Sequence, residues 1–180
     1  MTDPRALAQH DRASADPPVH PLDRAAAAVA DGLGLTPQDV VLHLGCGEGE
    51  LTLALAGTVQ GVIAMDASAD VLARARATGD AAGIDTVTWI RGTHTDVPVL
   101  SRMLDGDPLG GVLVSGGVPM SDVPRLLAAV TGLLRPRGGV AFTGAAARDP
   151  RRSAELLAVN GFDTVPVPDD ADGVVVGVLR

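Results

Sequence analysis

The sequence predicts an α/β protein, a three-layer αβα sandwich built around a mostly parallel sheet. Short apolar runs alternate with helical patterns along most of the chain. The first five runs are separated by stretches long enough to cross back over a sheet, which favours right-handed βαβ units with helices on both faces. The last two runs are separated by only the five residues 168–172. They are therefore expected to pair as an antiparallel hairpin.

The elements follow from this alternation in chain order. An Ala-rich stretch over residues 21–35 predicts a helix that ends at Gly32 and Gly34. Runs of β-branched and aliphatic residues predict buried strands at residues 40–44, 61–65, 87–90, 111–115 and 139–143. Helical spacing between these runs predicts helices at residues 48–56, 69–79, 97–104 and 122–134. A last helix at 150–160 precedes the hairpin strands, at residues 162–167 and 173–179.

Length and composition limit the domain organisation. A chain of 180 residues fits one domain, which we assign to residues 21–180. Residues 1–20 are polar and unpatterned, so we expect a flexible N-terminal arm there. The apolar fraction is 46% but aromatic residues make up only 2%, so the core is expected to be aliphatic.

The charge balance argues against several classes of partner. All 14 basic residues are arginines, the net charge is −8, and no basic stripe or row of aromatic residues is present. Nucleic acid is therefore not expected as a partner, since neither counterion release nor base stacking is provided for. No apolar run is long enough to span a bilayer, so no membrane partner is expected. The single cysteine, Cys46, cannot form an internal disulfide, which favours a cytoplasmic protein.

A glycine-rich turn follows the first predicted strand. Gly45, Cys46, Gly47 and Gly49 stand just before a helix, where glycine lets the backbone approach a ligand and the helix presents free N–H groups. Asp66 ends the next strand, where a carboxylate can accept hydrogen bonds from both hydroxyls of a ribose. A nicotinamide cofactor fits less well, because its fingerprint places glycine or alanine where this chain has Glu50.

These segments resemble the class I family of S-adenosylmethionine-dependent methyltransferases. The resemblance is carried by VVLHLGCGEG at residues 40–49, AMDAS at 64–68, LLRPRGGV at 133–140 and NGF at 160–162. It implies a seven-stranded sheet in the order 3-2-1-4-5-7-6 with strand 7 antiparallel, and S-adenosylmethionine as cofactor with S-adenosylhomocysteine as product. The cofactor-binding residues that it implies are Gly45, Cys46, Gly47, Gly49, Asp66, Ala67, Thr93 and Ser115.

The sequence departs from the family at two positions of the cofactor site. His43 stands where most members have an acid that holds the amino group of the methionine end. Thr93 stands where an acid often receives the adenine amino group, and Thr93, His94 or Asp96 could serve instead. Two hypotheses follow: methyl transfer to a small-molecule acceptor, or a methyltransferase-like protein that acts as a binding partner or supports another reaction such as cyclisation or decarboxylation.

Few residues are candidates for proton transfer. Methyl transfer needs mainly proximity and alignment, with a base only where the acceptor carries a proton. His94 follows the third strand at the ligand-binding edge, so it is the candidate catalytic residue; an exposed loop histidine is the alternative. No metal site is predicted. Because residues 144–149 leave no room for a lid, the arm or a second protomer in a homodimer is expected to close the site around a small-molecule substrate.

Overall fold

The computed structural model describes residues 21–102, 104, 106–168 and 173–180. The predicted arm at residues 1–20 lies outside the described residues. Six α-helices are present in the described part of the chain: α1 Pro21–Leu33, α2 Glu50–Ala56, α3 Ala69–Ala81, α4 Val97–Leu100, α5 Val123–Thr131 and α6 Pro150–Val159. The strands are β1 Val40–Leu44, β2 Gly61–Asp66, β3 Val87–Arg91, β4 Leu109–Val114, β5 Leu134–Phe142, β6 Phe162–Val165 and β7 Val175–Leu179.

The seven strands form one sheet, and its topology confirms the prediction. The order is β3-β2-β1-β4-β5-β7-β6. Strands β1 to β5 pair in parallel, while β7 runs antiparallel to both β5 and β6. The carboxyl ends of β1, β2, β4 and β5 therefore meet at one edge, which is where open α/β sheets bind ligands.

Helices cover the sheet on both faces, each with its own apolar cluster. On one face α4, α5 and α6 pack over residues such as Leu42 and Val112. On the other face α1 and α2 pack over residues such as Val41 and Leu113. Successive residues of one strand thus enter different clusters, as the two-residue period of a strand requires. None of the helices described is long and apolar enough to cross a membrane.

Several predicted boundaries were wrong, for local reasons. The helix predicted at 48–56 begins two residues later, because Gly49 has φ 83° and cannot be helical. The helix predicted at 97–104 ends at Leu100 and is preceded by a 3₁₀ turn at His94–Asp96. The helix predicted at 122–134 ends at Thr131. Leu134 instead begins β5, where it pairs with Leu109 of β4.

A partly buried ion pair joins the residue before β1 to β5, at the edge of the sheet opposite the glycine loop. Nε and Nη2 of Arg135 donate to the two carboxylate oxygens of Asp39 at 2.7 and 3.1 Å. The backbone N–H and the hydroxyl of Thr36 add two more hydrogen bonds to Oδ2. The guanidinium of Arg135 lowers the pKa of Asp39, so this carboxylate stays ionised although it is buried.

Candidate functional site

The loop between β1 and α2 uses its three glycines for three different reasons. All three have positive φ: 67° at Gly45, 56° at Gly47 and 83° at Gly49. A Cβ on Gly45 would overlap the backbone of Gly116 in the loop after β4. A Cβ on Gly49 would lie 2.8 Å from the ring of Trp89, whereas one on Gly47 would meet nothing within 4 Å. Gly47 is therefore the glycine that faces open space.

The carboxylate of Asp66 is tied to this loop. Its Oδ2 accepts a hydrogen bond from the backbone N–H of Gly47 at 3.0 Å, and its Oδ1 accepts one from Ser68 at 2.9 Å. A carboxylate oxygen has room for about two hydrogen bonds, so each oxygen retains acceptor capacity. Asp66 is partly exposed and lines a cavity, so this capacity is available to a ligand.

This first cavity has a volume of about 150 Å³ and lies at the carboxyl ends of β1, β2 and β4. Five of the residues singled out in the sequence line it: Gly45, Asp66, Ala67, Thr93 and His94. The rest of the wall is mostly apolar residues and glycines: Leu44, Met65, Gly92, Gly116, Gly117 and Val118. A wall with both polar and apolar residues can bind a ribose and can also contact one face of a planar heterocycle.

A second cavity, of about 300 Å³, lies along the other part of the same loop. The remaining four residues that the sequence singled out line it: Cys46, Gly47, Gly49 and Ser115. Its wall also includes Leu22 and Ala25 at the start of α1. The nine candidate residues thus divide between two cavities that share the glycine loop.

His94 contacts an acid that sequence reasoning missed. Its Nε2 lies 3.1 Å from Oδ2 of Asp122, at the start of α5. A carboxylate only accepts hydrogen bonds, so Nε2 carries the proton of this bond; in the neutral form of the ring, Nδ1 then carries a lone pair. Nδ1 is buried and has no partner among the described residues. Buried polar atoms without a partner are rare in folded proteins.

The other residues considered for adenine recognition are occupied locally. The backbone N–H and the hydroxyl of Thr93 both donate to Oδ2 of Asp96, at 2.8 and 3.2 Å. The side chain of Thr93 in turn accepts from the backbone of the 3₁₀ turn that begins at His94, and this reciprocal pair with Asp96 is a capping box. The carboxylate of Asp96 therefore fixes this turn, and the side chain of Thr93 lines the first cavity from its cap position.

His43 belongs to a chain of largely buried hydrogen bonds through Thr52, His43, Ser115 and Thr143, which we call the polar chain. Its Nδ1 lies 2.7 Å from Oγ1 of Thr52, and its Nε2 lies 2.7 Å from Oγ of Ser115. Oγ of Ser115 in turn lies 2.6 Å from Oγ1 of Thr143. Burial lowers the pKa of His43 to about 4, outweighing the opposite effect of Asp66, so the ring is neutral at pH 7.

The remaining chemistry of the loop is limited. Burial raises the pKa of the Cys46 thiol to about 12, with the charge of Asp66 acting in the same direction. The thiol is therefore protonated and unreactive at neutral pH. In the described part of the chain, no group of three or more histidine, cysteine or acidic residues is arranged to hold a metal ion.

Asp122, Thr52 and Thr143 are the site residues that the sequence did not reveal. The pattern around Asp122 predicts only the start of a helix, and the loop that brings it to His94 has no periodic pattern. Ala141 of β5 is the neighbour of Leu113 of β4 in the sheet. Thr143 lies two residues after Ala141, and Ser115 lies two residues after Leu113. Strand alternation combined with the sheet order could have placed Thr143 beside Ser115.

Comparison with known proteins adds a family match. A family model described as a methyltransferase domain matches residues 41–138, which is more than half of the 180 residues. The matched segment includes the glycine loop, Asp66, His94 and Ser115. No curated protein matches the chain in sequence.

Solved structures with the same fold are numerous. A SAM dependent methyltransferase from Aquifex aeolicus has a TM-score of 0.66 at 16% identity, covering 92% of this chain and 95% of the other. A precorrin 8w decarboxylase from Methanobacterium thermoautotrophicum has a TM-score of 0.65 at 21% identity, covering 85% of this chain and 87% of the other. An rRNA methylase from Streptococcus thermophilus has a TM-score of 0.65 at 19% identity, covering 91% of this chain and 99% of the other. At these identities the likeness shows the shared fold and not a shared substrate.

Proposed function

Because this chain belongs to the methyltransferase domain family, in its class I Rossmann-like form, we propose that it binds S-adenosylmethionine and transfers a methyl group to a small-molecule acceptor. The observation that carries this proposal is the position of the Asp66 carboxylate, which is hydrogen-bonded to Gly47 and lines the first cavity. A nucleoside cofactor requires both features, an acceptor for its ribose hydroxyls and a backbone that it can approach closely.

The described residues fit this cofactor. Asp66 would hold the ribose, Ala67 and Thr93 would border the adenine, and the open face of Gly47 would adjoin the tail. The bound cofactor supplies an activated methyl group on a sulfonium sulfur. The contribution of the protein is to bind, to align and to exclude water, which for an in-line displacement is most of what catalysis needs.

His94 is the residue that we propose as the base where the acceptor carries a proton. The lone pair on its Nδ1 has no partner among the described residues, and the proton on Nε2 is held by Asp122. An acceptor that loses a proton on methylation would give that proton to Nδ1 of His94, an atom that is buried here and that ligand binding would have to expose. The carboxylate of Asp122 then stabilises the imidazolium that forms.

The charges around the two cavities favour a small acceptor over nucleic acid. Their described walls contain the carboxylates of Glu48, Glu50 and Asp66 and no arginine. Binding of nucleic acid depends on basic side chains that neutralise phosphates, and these walls would repel a phosphate. An uncharged or amine-bearing molecule fits them better.

The cofactor part of the proposal is tested by titration calorimetry with S-adenosylmethionine and S-adenosylhomocysteine. Wild type is expected to bind both with micromolar Kd values. Asp66→Ala should weaken binding at least thirtyfold, roughly the loss of two hydrogen bonds to a charged acceptor. Asp85→Ala, which removes an exposed carboxylate at the opposite edge of the sheet, is the matched control and should bind normally.

The acceptor class is tested by incubating the protein with S-adenosylmethionine labelled in its methyl group, together with either a small-molecule cell extract or purified RNA. Label is expected in a small molecule, and Asp66→Ala should abolish its appearance. Label in RNA would refute the acceptor class. Binding of the cofactor without transfer to either fraction would favour the alternative, a methyltransferase-like protein with another role. The presence of His43 in place of the acid that the family resemblance implies favours the same alternative.

A further inference from the structure

The polar chain connects one helix with three neighbouring strand ends. Thr52 lies on α2 and His43 on β1, and Ser115 and Thr143 directly follow β4 and β5. Thr52, His43 and Thr143 are at most 4% exposed, whereas Ser115 is partly exposed. The three hydrogen bonds of the polar chain measure 2.6 to 2.7 Å, at the short end of the usual range. Ser115 is the member that a ligand can reach most easily.

The second cavity gives a ligand access to this chain. His43, Ser115 and Thr143 form part of its wall, next to Cys46 and Gly47 of the glycine loop. Asp66, which lines the first cavity, is bonded to the same Gly47. A nucleoside that is held at Asp66 can therefore extend a tail past Gly47 toward Ser115.

The hydroxyl of Ser115 has one hydrogen-bonding valence left. A hydroxyl carries one proton and two lone pairs. Where donation runs in one direction along the chain, Ser115 donates once and accepts once, between His43 and Thr143. One lone pair is then left over, so Ser115 offers an acceptor to a ligand. The partner for this lone pair is a hydrogen-bond donor such as an amine.

The charges around the cavity select the same partner. Glu48 and Glu50 are the charged residues among those described in its wall. Glu48 is paired with Arg74, and both side chains of this pair are more than half exposed. Arg74 offsets the charge of Glu48, so the attraction of this wall for a cationic amine comes mainly from Glu50.

We infer that Ser115, held in place by His43 and Thr143, determines specificity in the second cavity by accepting a hydrogen bond from the amino group on the tail of the nucleoside ligand. An uncharged hydroxyl would thus serve in place of the acid that the family resemblance implies at position 43, where this chain has His43. The inference rests on the proposed function, since the ligand is the nucleoside cofactor or its product.

Two ligands that differ only in their tails test this inference. S-adenosylhomocysteine has the amino-acid tail, and 5′-methylthioadenosine has the same nucleoside and thioether without it. Both are titrated by calorimetry into the full chain. Ser115→Ala is expected to weaken S-adenosylhomocysteine about fivefold to tenfold, as expected for one hydrogen bond, and to change methylthioadenosine less than about twofold.

Three further variants separate binding from folding. Ser101→Ala removes a hydroxyl whose partner among the described residues is the carbonyl of Pro98, and neither residue lines either cavity, so it should bind both ligands as wild type does. Ser115→Thr keeps the hydroxyl and should restore the preference for the amino-acid tail. Thr143→Val removes one neighbour of Ser115 and is expected to weaken only the ligand with the tail. Thermal melts check that every variant is folded.

The outcomes are distinct. If Ser115→Ala leaves both affinities unchanged, or weakens both ligands equally, the inference is wrong while the nucleoside site stands. If wild type binds neither ligand, the proposed function fails and the inference fails with it.

Discussion

Oδ2 of Asp66 accepts a hydrogen bond from the backbone N–H of Gly47 at 3.0 Å, across 19 residues of sequence. This bond joins the end of β2 to the loop that leaves β1, so the acid and the glycine loop form one structural unit. Within this unit the carboxylate is positioned for a ribose, and the loop leaves space beside it. Substitutions in the loop should therefore separate effects on stability from effects on binding.

Gly47→Ala and Gly49→Ala are expected to have opposite consequences. At Gly47 a Cβ meets nothing within 4 Å, so the cost is about 1 kcal/mol for the left-handed backbone. The methyl group would occupy space that the ligand needs, and affinity for S-adenosylhomocysteine should fall at least tenfold, by about 1.4 kcal/mol or more. Urea unfolding and calorimetry measure the two effects, and unchanged affinity in Gly47→Ala would place the ligand elsewhere.

At Gly49 the same change acts mainly on the core. A Cβ there would lie 2.8 Å from the ring of Trp89 and 3.0 Å from Cβ of Ala75. Overpacking together with a positive φ should lower the free energy of unfolding by about 2 to 4 kcal/mol. A loss below about 1 kcal/mol would contradict this packing.

Asp122→Asn is expected to change the tautomer of His94. The carboxylate of Asp122 requires a proton on Nε2, whereas an amide can donate to Nε2 and so allow the proton to move to Nδ1. Long-range ¹H–¹⁵N correlation spectra distinguish the two tautomers. Wild type should show an unprotonated Nδ1 and Asp122→Asn a substantial population of the other form. Asp107→Asn, an exposed acid elsewhere, is the control; an unchanged His94 tautomer in Asp122→Asn would show that Asp122 does not position this ring.

The sequence was sufficient to predict the fold because each strand and helix has its own periodic signal. The apolar runs, the crossover lengths and the short final connection together predict a parallel sheet with a terminal hairpin. The errors lie where two signals overlap. Leu133 and Leu134 continue the helical spacing of α5, yet Leu134 begins β5 because pairing with Leu109 of β4 outweighs helix propensity there.

The site was only partly predictable, for a different reason. The glycine loop and Asp66 are close in sequence and have a recognisable motif, whereas the polar chain is assembled by the sheet. His43 and Ser115 are 72 residues apart, and neither residue alone indicates the other. The contact between Asp122 and His94 depends on the path of a loop, for which the sequence contains no regular pattern.

The pair of Asp39 and Arg135 should be a larger source of stability than its exposed counterparts. Asp39 is buried and accepts four hydrogen bonds, two of them from Arg135. We expect Asp39→Asn to lower the free energy of unfolding by about 2 kcal/mol, because four hydrogen bonds lose a buried, charged acceptor. Asp80→Asn is the matched control: its partner is Arg76 and both side chains are 70% exposed. It should cost less than about 0.5 kcal/mol, and equal losses in the two variants would contradict the importance of burial.

His43 should make stability depend on pH below neutrality. Its pKa is lowered from 6.5 to about 4 in the folded protein, so the unfolded chain binds more protons between these values. The contribution of His43 is therefore complete above pH 6.5 and declines as pH falls toward 4, by at most about 1.4 kcal/mol per pH unit and on the order of 3 kcal/mol in all. Urea unfolding at intervals from pH 7 to pH 4.5 measures this decline in wild type and in His43→Gln. The variant should be less stable at pH 7 and lose less on acidification, because its side chain does not titrate. Identical slopes in the two proteins would mean that His43 is already accessible to protons in the folded state, and the polar chain would then not exclude water from its ring.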